Sequence, residues 1–253
     1  MNHIAQPLIR KLENFSTLSA EEKQALWNAV TDLRHFAAHE DLIRENDVTG
    51  GVNLLVEGFA CRYKILPDGR RQIVAYLVPG DMCDLRVFIL KRMDHAIATL
   101  TAATVAMLSR ESVLYLTEKF PGLTRALWWA TLVDEAVTRE WVVNVGQRTA
   151  IERMAHLFCE LFVRLQAVGL TRGNQCDLPV TQAELADTLA LSSVHVNRTL
   201  KELRREGLVT VSGRTLVIHN FEVLQTLAMF TPNYLHLARP PASLTGTDNA
   251  LRG

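Results

Sequence analysis

The sequence predicts an α+β fold, in which a small antiparallel β domain precedes one long helix and a winged helix-turn-helix. Three observations predict it. Short apolar segments separated by turn residues fill residues 35–109, as in a small all-β sandwich or barrel. Residues 123–145 contain no glycine or proline and place apolar side chains at helical intervals. Signals for two short capped helices and a hairpin follow between residues 178 and 219.

Composition limits the classes of protein to consider. The chain has 253 residues, 48% of them hydrophobic and 21% charged, which excludes a disordered, collagen-like or coiled-coil rod protein. Lys+Arg and Asp+Glu each number 27, so the formal net charge is zero. A nucleic-acid partner would therefore need a local basic surface.

The cysteines and the N-terminus indicate a cytoplasmic protein. Cys61, Cys83, Cys159 and Cys176 form no C-x-x-C motif, so spacing predicts free thiols in a reducing compartment and no metal centre. The first residues lack the apolar core of a signal peptide. The longest apolar run, 126–133, is far shorter than the ~18 residues of a membrane helix.

The first half of the chain contains a helix and then strands. Ser19 and Glu22 form a capping box that begins a helix, whose apolar face would continue through Leu26, Trp27 and Val30. Residues 71–78, between two proline-containing turns, are the clearest strand.

The long helix is predicted to begin near Pro121, because a proline suits a first helical turn. It carries Trp128, Trp129 and Trp141, which is too much apolar surface for an isolated helix. An internal core helix and a partner helix in a dimer both explain this, and the segment that follows favours the dimer. Residues 146–148 form a plausible hinge, and a second amphipathic helix covers residues 149–167.

The helix-turn-helix has a complete set of local signals. Thr181 and Glu184 form a second capping box, Ser192 is an N-cap for the next helix, and Gly207 suits the left-handed position that ends it. Residues 208–211 and 215–218 are apolar and flank Ser-Gly-Arg at 212–214, where a wing would lie. Two short helices joined by a tight turn are typical of the DNA-binding helix-turn-helix motif.

Spacing separates two faces of the second helix. Val196, Leu200 and Leu203 would pack against Leu185 and Leu189. The opposite face would meet DNA, with Arg198 donating to guanine, Asn197 reaching an adenine or a phosphate, and Val194 offering only an apolar contact. A merely solvated polar face is the alternative, but all the helix-turn-helix signals coincide here. The predicted DNA-binding residues are Thr181, Ser192, Ser193, Val194, His195, Asn197, Arg198, Lys201 and Arg214, of which Thr181, Ser192 and Arg214 would contact phosphates.

On these residues the sequence resembles the Crp/Fnr-type bacterial transcription regulators. The run VTQAELADTLALSSVHVNRTLKELRREGLV with SGRTLVI is similar to their winged helix-turn-helix, and LPDGRRQIVAYLVPGD is similar to their β-roll. The resemblance covers about residues 15–225 and implies a β-roll sensor with an N-terminal helix (1–121), a dimerisation helix and hinge (122–147) and a DNA-binding domain (148–225). The prolines and polar end of residues 226–253 predict a partly disordered extension, poorly ordered past about Ala238. The resemblance further implies a homodimer on a two-fold symmetric DNA site, with RNA polymerase as a partner.

Departures from the family pattern concern the ligand. Where cyclic-nucleotide-binding members carry a phosphate cassette, this chain has Met82-Cys83-Asp84-Leu85 and Asp94-His95-Ala96, and an aspartate there would repel a phosphate. We therefore expect no cyclic nucleotide and predict no cofactor.

Weak effector candidates are Cys83, Asp84 and His95. A haem ligated by His95 or Met82 is conceivable, but His95 beside Asp94 is typical of a structural hydrogen-bonded pair. The N-terminal cysteine cluster of iron–sulfur members is missing. Val194 stands where the family commonly has glutamate, so the family's half-site is not carried over.

Two alternatives remain open. One is a constitutive DNA-binding dimer, in which the β-roll is only a scaffold or a platform for RNA polymerase. The other is a cupin-like metal enzyme, which would need several clustered histidines. Between residues 50 and 110 the only histidine is His95, so we expect no enzyme.

Overall fold

The computed structural model describes residues 4–85, 89–90 and 92–237. Helices α1 (Gln6–Leu12) and α2 (Ala20–Ala29) precede the first strand, and α2 begins at the predicted capping box. Helix α1 has no counterpart in the sequence prediction. Val30, predicted on the apolar face of α2, instead begins strand β1, because its backbone pairs with Leu108 in a sheet.

The strands of the N-terminal domain form two antiparallel sheets. They are β1 (Val30–Phe36), β2 (Asp41–Ile43), β3 (Gly51–Glu57), β4 (Ala60–Ile65), β5 (Arg71–Leu77), β6 (Ala96–Thr99) and β7 (Ala103–Ser109). One sheet has the order β1-β7-β3 and the other β2-β6-β4-β5. Apolar side chains from both sheets, such as Leu55, Leu77 and Ile97, share one buried cluster. The predicted β-roll is confirmed, as is the strand at β5.

Three helices follow the β-roll. They are α3 (Arg110–Lys119), α4 (Pro121–Gln147) and α5 (Ala150–Ala167). Helix α4 begins at Pro121 as predicted, and its 27 residues make it about 40 Å long. Arg148 is extended, and Thr149 and Glu152 form a capping box for α5. Of the predicted hinge, residues 146 and 147 belong to α4, and the two extended residues Arg148 and Thr149 join α4 to α5.

The C-terminal part contains the predicted helix-turn-helix and hairpin. Its elements are β8 (Thr171–Arg172), β9 (Gln175–Asp177), α6 (Gln182–Leu189), α7 (Ser193–Arg205), β10 (Val209–Ser212), β11 (Thr215–Ile218), α8 (Phe221–Leu227) and a 3₁₀ turn (Pro232–Leu235). The wing belongs to a sheet of order β10-β11-β9-β8, whose first hairpin, β8 and β9, is an addition to the prediction. Gly207 has a φ of +66°, as expected after α7.

The β-roll and the C-terminal domain share a hydrophobic core. One continuous cluster contains Tyr76 of the β-roll, Trp141 of α4, Phe158 of α5, and Leu185 and Val196 of the helix-turn-helix. The C-terminal domain is therefore packed against the β-roll and α4. Within the described residues, no helix is both long and apolar enough to cross a membrane.

Candidate nucleic-acid interface

Helices α6 and α7 are fixed by their caps and by a buried seam. The Thr181 hydroxyl accepts from the Glu184 N–H, and the Ser192 hydroxyl accepts from the His195 N–H. Leu185 and Leu189 of α6, with Val196 and Leu203 of α7, are buried and Leu200 is half-buried in the same cluster. The predicted packing is confirmed, and it orients α7 rigidly on the domain.

The opposite face of α7 is open to solvent. Val194 is 81% exposed, which is unusual for an apolar residue on a well-packed helix. Ser193, Arg198 and Lys201 are also exposed, whereas His195 and Asn197 are half-buried. The structure thus brings all the predicted α7 residues to one surface, which begins at the helix N-terminus.

Two hydrogen bonds hold side chains on this surface. Nη2 of Arg198 lies 2.6 Å from Nε2 of His195, so the imidazole nitrogen accepts from the guanidinium. The Asn197 amide donates to Oε1 of Gln182 at 3.3 Å. The sequence analysis missed Gln182, although its place directly after the Thr181 cap puts it at the exposed start of α6.

Thr181 and Arg214, which are also predicted to bind DNA, do not belong to this face of α7. The Thr181 hydroxyl donates to the Glu184 carboxylate at 2.9 Å, so capping already uses its proton. Arg214 lines a cleft of about 850 Å³ between the β-roll and the C-terminal domain, together with Arg10 and Arg172. Arg214 therefore borders a cleft that residues of the β-roll also line.

The helix-turn-helix is attached to the β-roll through α6. Nε of Arg71 donates to Asp187 at 2.7 Å, and the Gln72 amide donates to the Thr188 carbonyl at 3.1 Å. The buried hydroxyls of Tyr76 and Thr188 are also hydrogen-bonded. These contacts link residues more than 100 positions apart, so no local sequence pattern predicts them.

The effector candidates are occupied by internal contacts. Cys83 is fully buried, and burial raises the pKa of its thiol to about 12, which makes it a poor nucleophile. Its carbonyl accepts from Arg62. Nδ1 of His95 lies 2.7 Å from the Asp94 carboxylate, which is the structural pair the sequence suggested. Asp84 is buried beside Arg62. Within the described part of the chain, no three His, Cys, Asp or Glu side chains are grouped to hold a metal.

A β-roll, a long helix and a winged helix-turn-helix with an exposed polar helix face define a class of DNA-binding transcription regulators. Two family models match the chain in this order: a cyclic nucleotide-binding domain over residues 33–120 and a Crp-like helix-turn-helix domain over residues 152–227. The chain belongs to the Crp/Fnr family of transcription regulators.

Curated relatives and solved structures agree with this. The chain is 29% identical to the nitrogen fixation regulation protein FixK of Bradyrhizobium diazoefficiens, covering 70% of this chain and 73% of the relative. It is also 29% identical to the transcriptional activator protein FnrL of Cereibacter sphaeroides, covering 78% and 80%. The structure of FixK2 from Bradyrhizobium japonicum superposes with a TM-score of 0.70 at 26% identity, covering 80% of this chain and 98% of that one. These relatives are regulators rather than enzymes.

The match to a cyclic nucleotide-binding domain raises the question of whether such a ligand fits. The carbonyls of Met82 and Cys83 accept from the buried Arg62 guanidinium, which also pairs with Asp134 of α4 at 3.1 Å. The cavity beside these residues and Asp84 is about 20 Å³, which is little more than one water. The described residues therefore do not fit a cyclic nucleotide at this position.

Proposed function

We propose that the protein is a homodimeric, sequence-specific DNA-binding regulator whose recognition helix is α7 with its C-cap, residues 193–206. The observation that carries this proposal is the division of α7 into a buried apolar face and an exposed polar face that begins at its N-terminus. An α-helix presented in this way fits the major groove of B-DNA.

Each exposed side chain has a chemical role in this proposal. Arg198 donates two hydrogen bonds to a guanine, and His195 holds the guanidinium in place before binding. Asn197, steadied by Gln182, reaches an adenine or a phosphate. Val194 contacts a thymine methyl group. Ser193 and Lys201 extend this face, and we assign phosphate contacts that position the domain to Ser192, Thr181 and Arg214. For Thr181 this requires its hydroxyl proton to leave the Glu184 carboxylate.

Helix α4 supplies the dimer contact in this proposal. An exposed stripe recurs at alternating intervals of three and four residues, which is the spacing of a two-helix coiled coil. The stripe contains Arg125, Trp128, Leu132, Glu135, Arg139 and Val142. Trp128 is 67% and Val142 69% exposed, so a second copy of the helix would bury considerable apolar surface. Trp129 and Trp141 pack within the chain instead.

The experiment is a band-shift titration on a DNA site selected with the wild-type protein. Arg198→Ala should weaken binding by about 1–3 kcal/mol and relax specificity at one base position. Arg205→Ala is the matched control, because Arg205 is an exposed arginine at the other end of α7. Equal binding by wild type and Arg198→Ala would refute the assignment of Arg198 to base contact.

In a second version of this proposal, the protein binds DNA without responding to a small-molecule effector. It is favoured by the Arg62–Asp134 pair, which fills the space between the β-roll and α4. The β-roll would then serve as a scaffold or as a platform for RNA polymerase, and, by analogy with the relatives named as activators, the protein would activate transcription. A thermal-shift panel of cyclic nucleotides, haem and metabolites tests this version. A stabilisation of a few kcal/mol by any of them, as expected at ~100 times its Kd, would contradict it.

A further inference from the structure

The chain continues beyond the DNA-binding domain as an ordered segment. The helix-turn-helix family model ends at residue 227, but residues 228–237, here called the strap, turn back over the junction of α4 and α5. Phe230 is 3% and Leu235 2% exposed, so the strap is part of the core. The partial disorder predicted for residues 226–253 falls past about residue 238, so the order of residues 226–237 does not test it. Residues 238–253 lie outside the described part.

The strap contacts the residue at which the chain changes direction. Nε of Arg148 donates to the carbonyl of Ala228 at 3.2 Å, and Nη2 donates to the carbonyl of Met229 at 3.4 Å. The same guanidinium pairs with Glu140 of α4 at 2.7 Å. The Arg148 carbonyl accepts from Arg153 of α5 at 2.8 Å. Arg148 thus connects α4, α5 and the strap through hydrogen bonds that are largely shielded from water.

A buried carboxylate makes a second connection. The Tyr234 hydroxyl donates to Glu160 of α5 at 2.9 Å, and the indole N–H of Trp141 of α4 donates to both oxygens of Glu160, at 3.0 and 3.1 Å. The His156 ring contacts Phe230, at a centroid distance of 5.2 Å, and Tyr234, at 6.0 Å, and these two rings are 6.0 Å from each other. Side chains of the strap therefore contact α5 on the face that α4 also meets.

Apolar packing completes the attachment to α4. Leu235 and Leu237 line a space of about 40 Å³ with Trp129, Val133 and Val137. This row on α4 lies beside the exposed stripe that we assign to the dimer. The strap consequently holds the helix that would define the dimer axis to the domain that carries α7.

We infer that the strap fixes the angle between α4 and the DNA-binding domain, and thereby sets the spacing of half-sites that the dimer accepts. Tyr234 and Leu235 are positioning residues in this scheme, because they act on DNA only through the placement of α7. The physical reason is that α4 and α5 are joined through two extended residues, Arg148 and Thr149, so the contacts of the strap add to those of α6 with β5 in fixing this angle. This inference depends on the dimeric DNA-binding function proposed above.

The test measures spacing preference with the full-length protein. Symmetric DNA sites are prepared whose half-sites are moved together or apart by one and two base pairs. The wild type should bind one spacing best. Leu235→Asp should lower the affinity ratio between the best and the neighbouring spacings about tenfold, and Tyr234→Phe, which removes one donor to a carboxylate, about threefold. Val223→Asp, at a half-exposed position on α8, is the control and should leave the ratio unchanged.

The possible outcomes distinguish a failure of this inference from a failure of the proposed function. If the wild type prefers one spacing and both variants keep the same ratio, the inference is overturned while the proposed function stands. If the wild type binds symmetric sites no better than single half-sites, both are overturned. Tyr234→Phe preserves the packing of the ring, so it decides the question should Leu235→Asp fail to fold.

Discussion

At the scale of single residues, His156 is a histidine that the fold keeps uncharged. It is fully buried, and Nε2 lies 3.2 Å from Glu140 without the alignment of a hydrogen bond. Burial, and then the Arg148 guanidinium, lower its pKa from 6.5 to about 3. Between these two pKa values the unfolded chain binds a proton that the folded chain does not, so the contribution of His156 to stability is lost as the pH falls.

The prediction concerns the variant His156→Phe, which keeps an aromatic ring but cannot titrate. The wild type should lose about 1.4 kcal/mol of unfolding free energy from this group for each pH unit below about 6.5, and the variant should not. Urea titrations between about pH 7 and about pH 5 measure the difference in slope. His35→Phe, at an exposed position, controls for the loss of one histidine. Parallel pH profiles of wild type and His156→Phe would contradict the prediction.

At the scale of elements, α4 has one buried face and one exposed apolar face. One row of its side chains packs on the protein's own core, while the stripe at Trp128, Leu132 and Val142 faces solvent. Arg139 and Glu135 within the stripe are paired at 2.7 Å, and the same charges could pair across two parallel helices. In the dimer proposed above, this stripe would be buried against the same stripe of the second copy.

Leu132→Asp should therefore weaken the dimer by about 100-fold in its dissociation constant, because a charge placed in an apolar helix contact is left without a partner. Analytical ultracentrifugation over a concentration series measures the change. Leu114→Asp, at an exposed position on α3, makes the same substitution outside the stripe and should have no effect on association. A wild type that is monomeric at all concentrations would show that α4 is not a dimer helix.

The elements differ in how far the sequence predicts them. Ser19, Thr181 and Ser192 cap helices as expected, because capping depends on residues only three positions apart. Helix α1 and strands β8 and β9 are short and are stabilised mainly by distant contacts, such as Lys11 of α1 with Asp81. The exposed face of α7 follows from periodicity, whereas its support by Gln182 and the docking of α6 on β5 depend on tertiary packing that periodicity does not encode.

At the scale of the whole molecule, buried charges join the two halves of the chain. Asp81, in the turn after β5, accepts from Lys11 of α1 at 2.8 Å, from Arg164 of α5 at 2.9 Å and from the Val78 N–H at 2.9 Å. Although burial opposes its ionisation, Lys11 and Arg164 lower the pKa of the Asp81 carboxyl. Arg164 also pairs with Glu160 at 3.3 Å, and the same carboxylate accepts from the Tyr234 hydroxyl of the strap.

Asp81→Asn should cost about 3–5 kcal/mol of unfolding free energy, since two largely buried cations lose their shared partner. The urea midpoint at neutral pH measures this loss. Asp68→Asn, at an exposed turn position, is the matched control and should change stability much less, because exposed ion pairs contribute little. A loss of similar size in the two variants would show that the Asp81 cluster contributes no more than a surface pair.

The position of the strap in the chain also affects the order of events during synthesis. Residues 228–237 follow every element that they hold in place, so α4, α5 and the helix-turn-helix have all left the ribosome before Tyr234 can reach Glu160. Since domains fold in order as they emerge, the contacts of α6 with β5 can form before the contacts of the strap with α4 and α5. In the dimer proposed above, the contacts of the strap would therefore be the last to form, after each chain has completed the helix α4 that meets its partner.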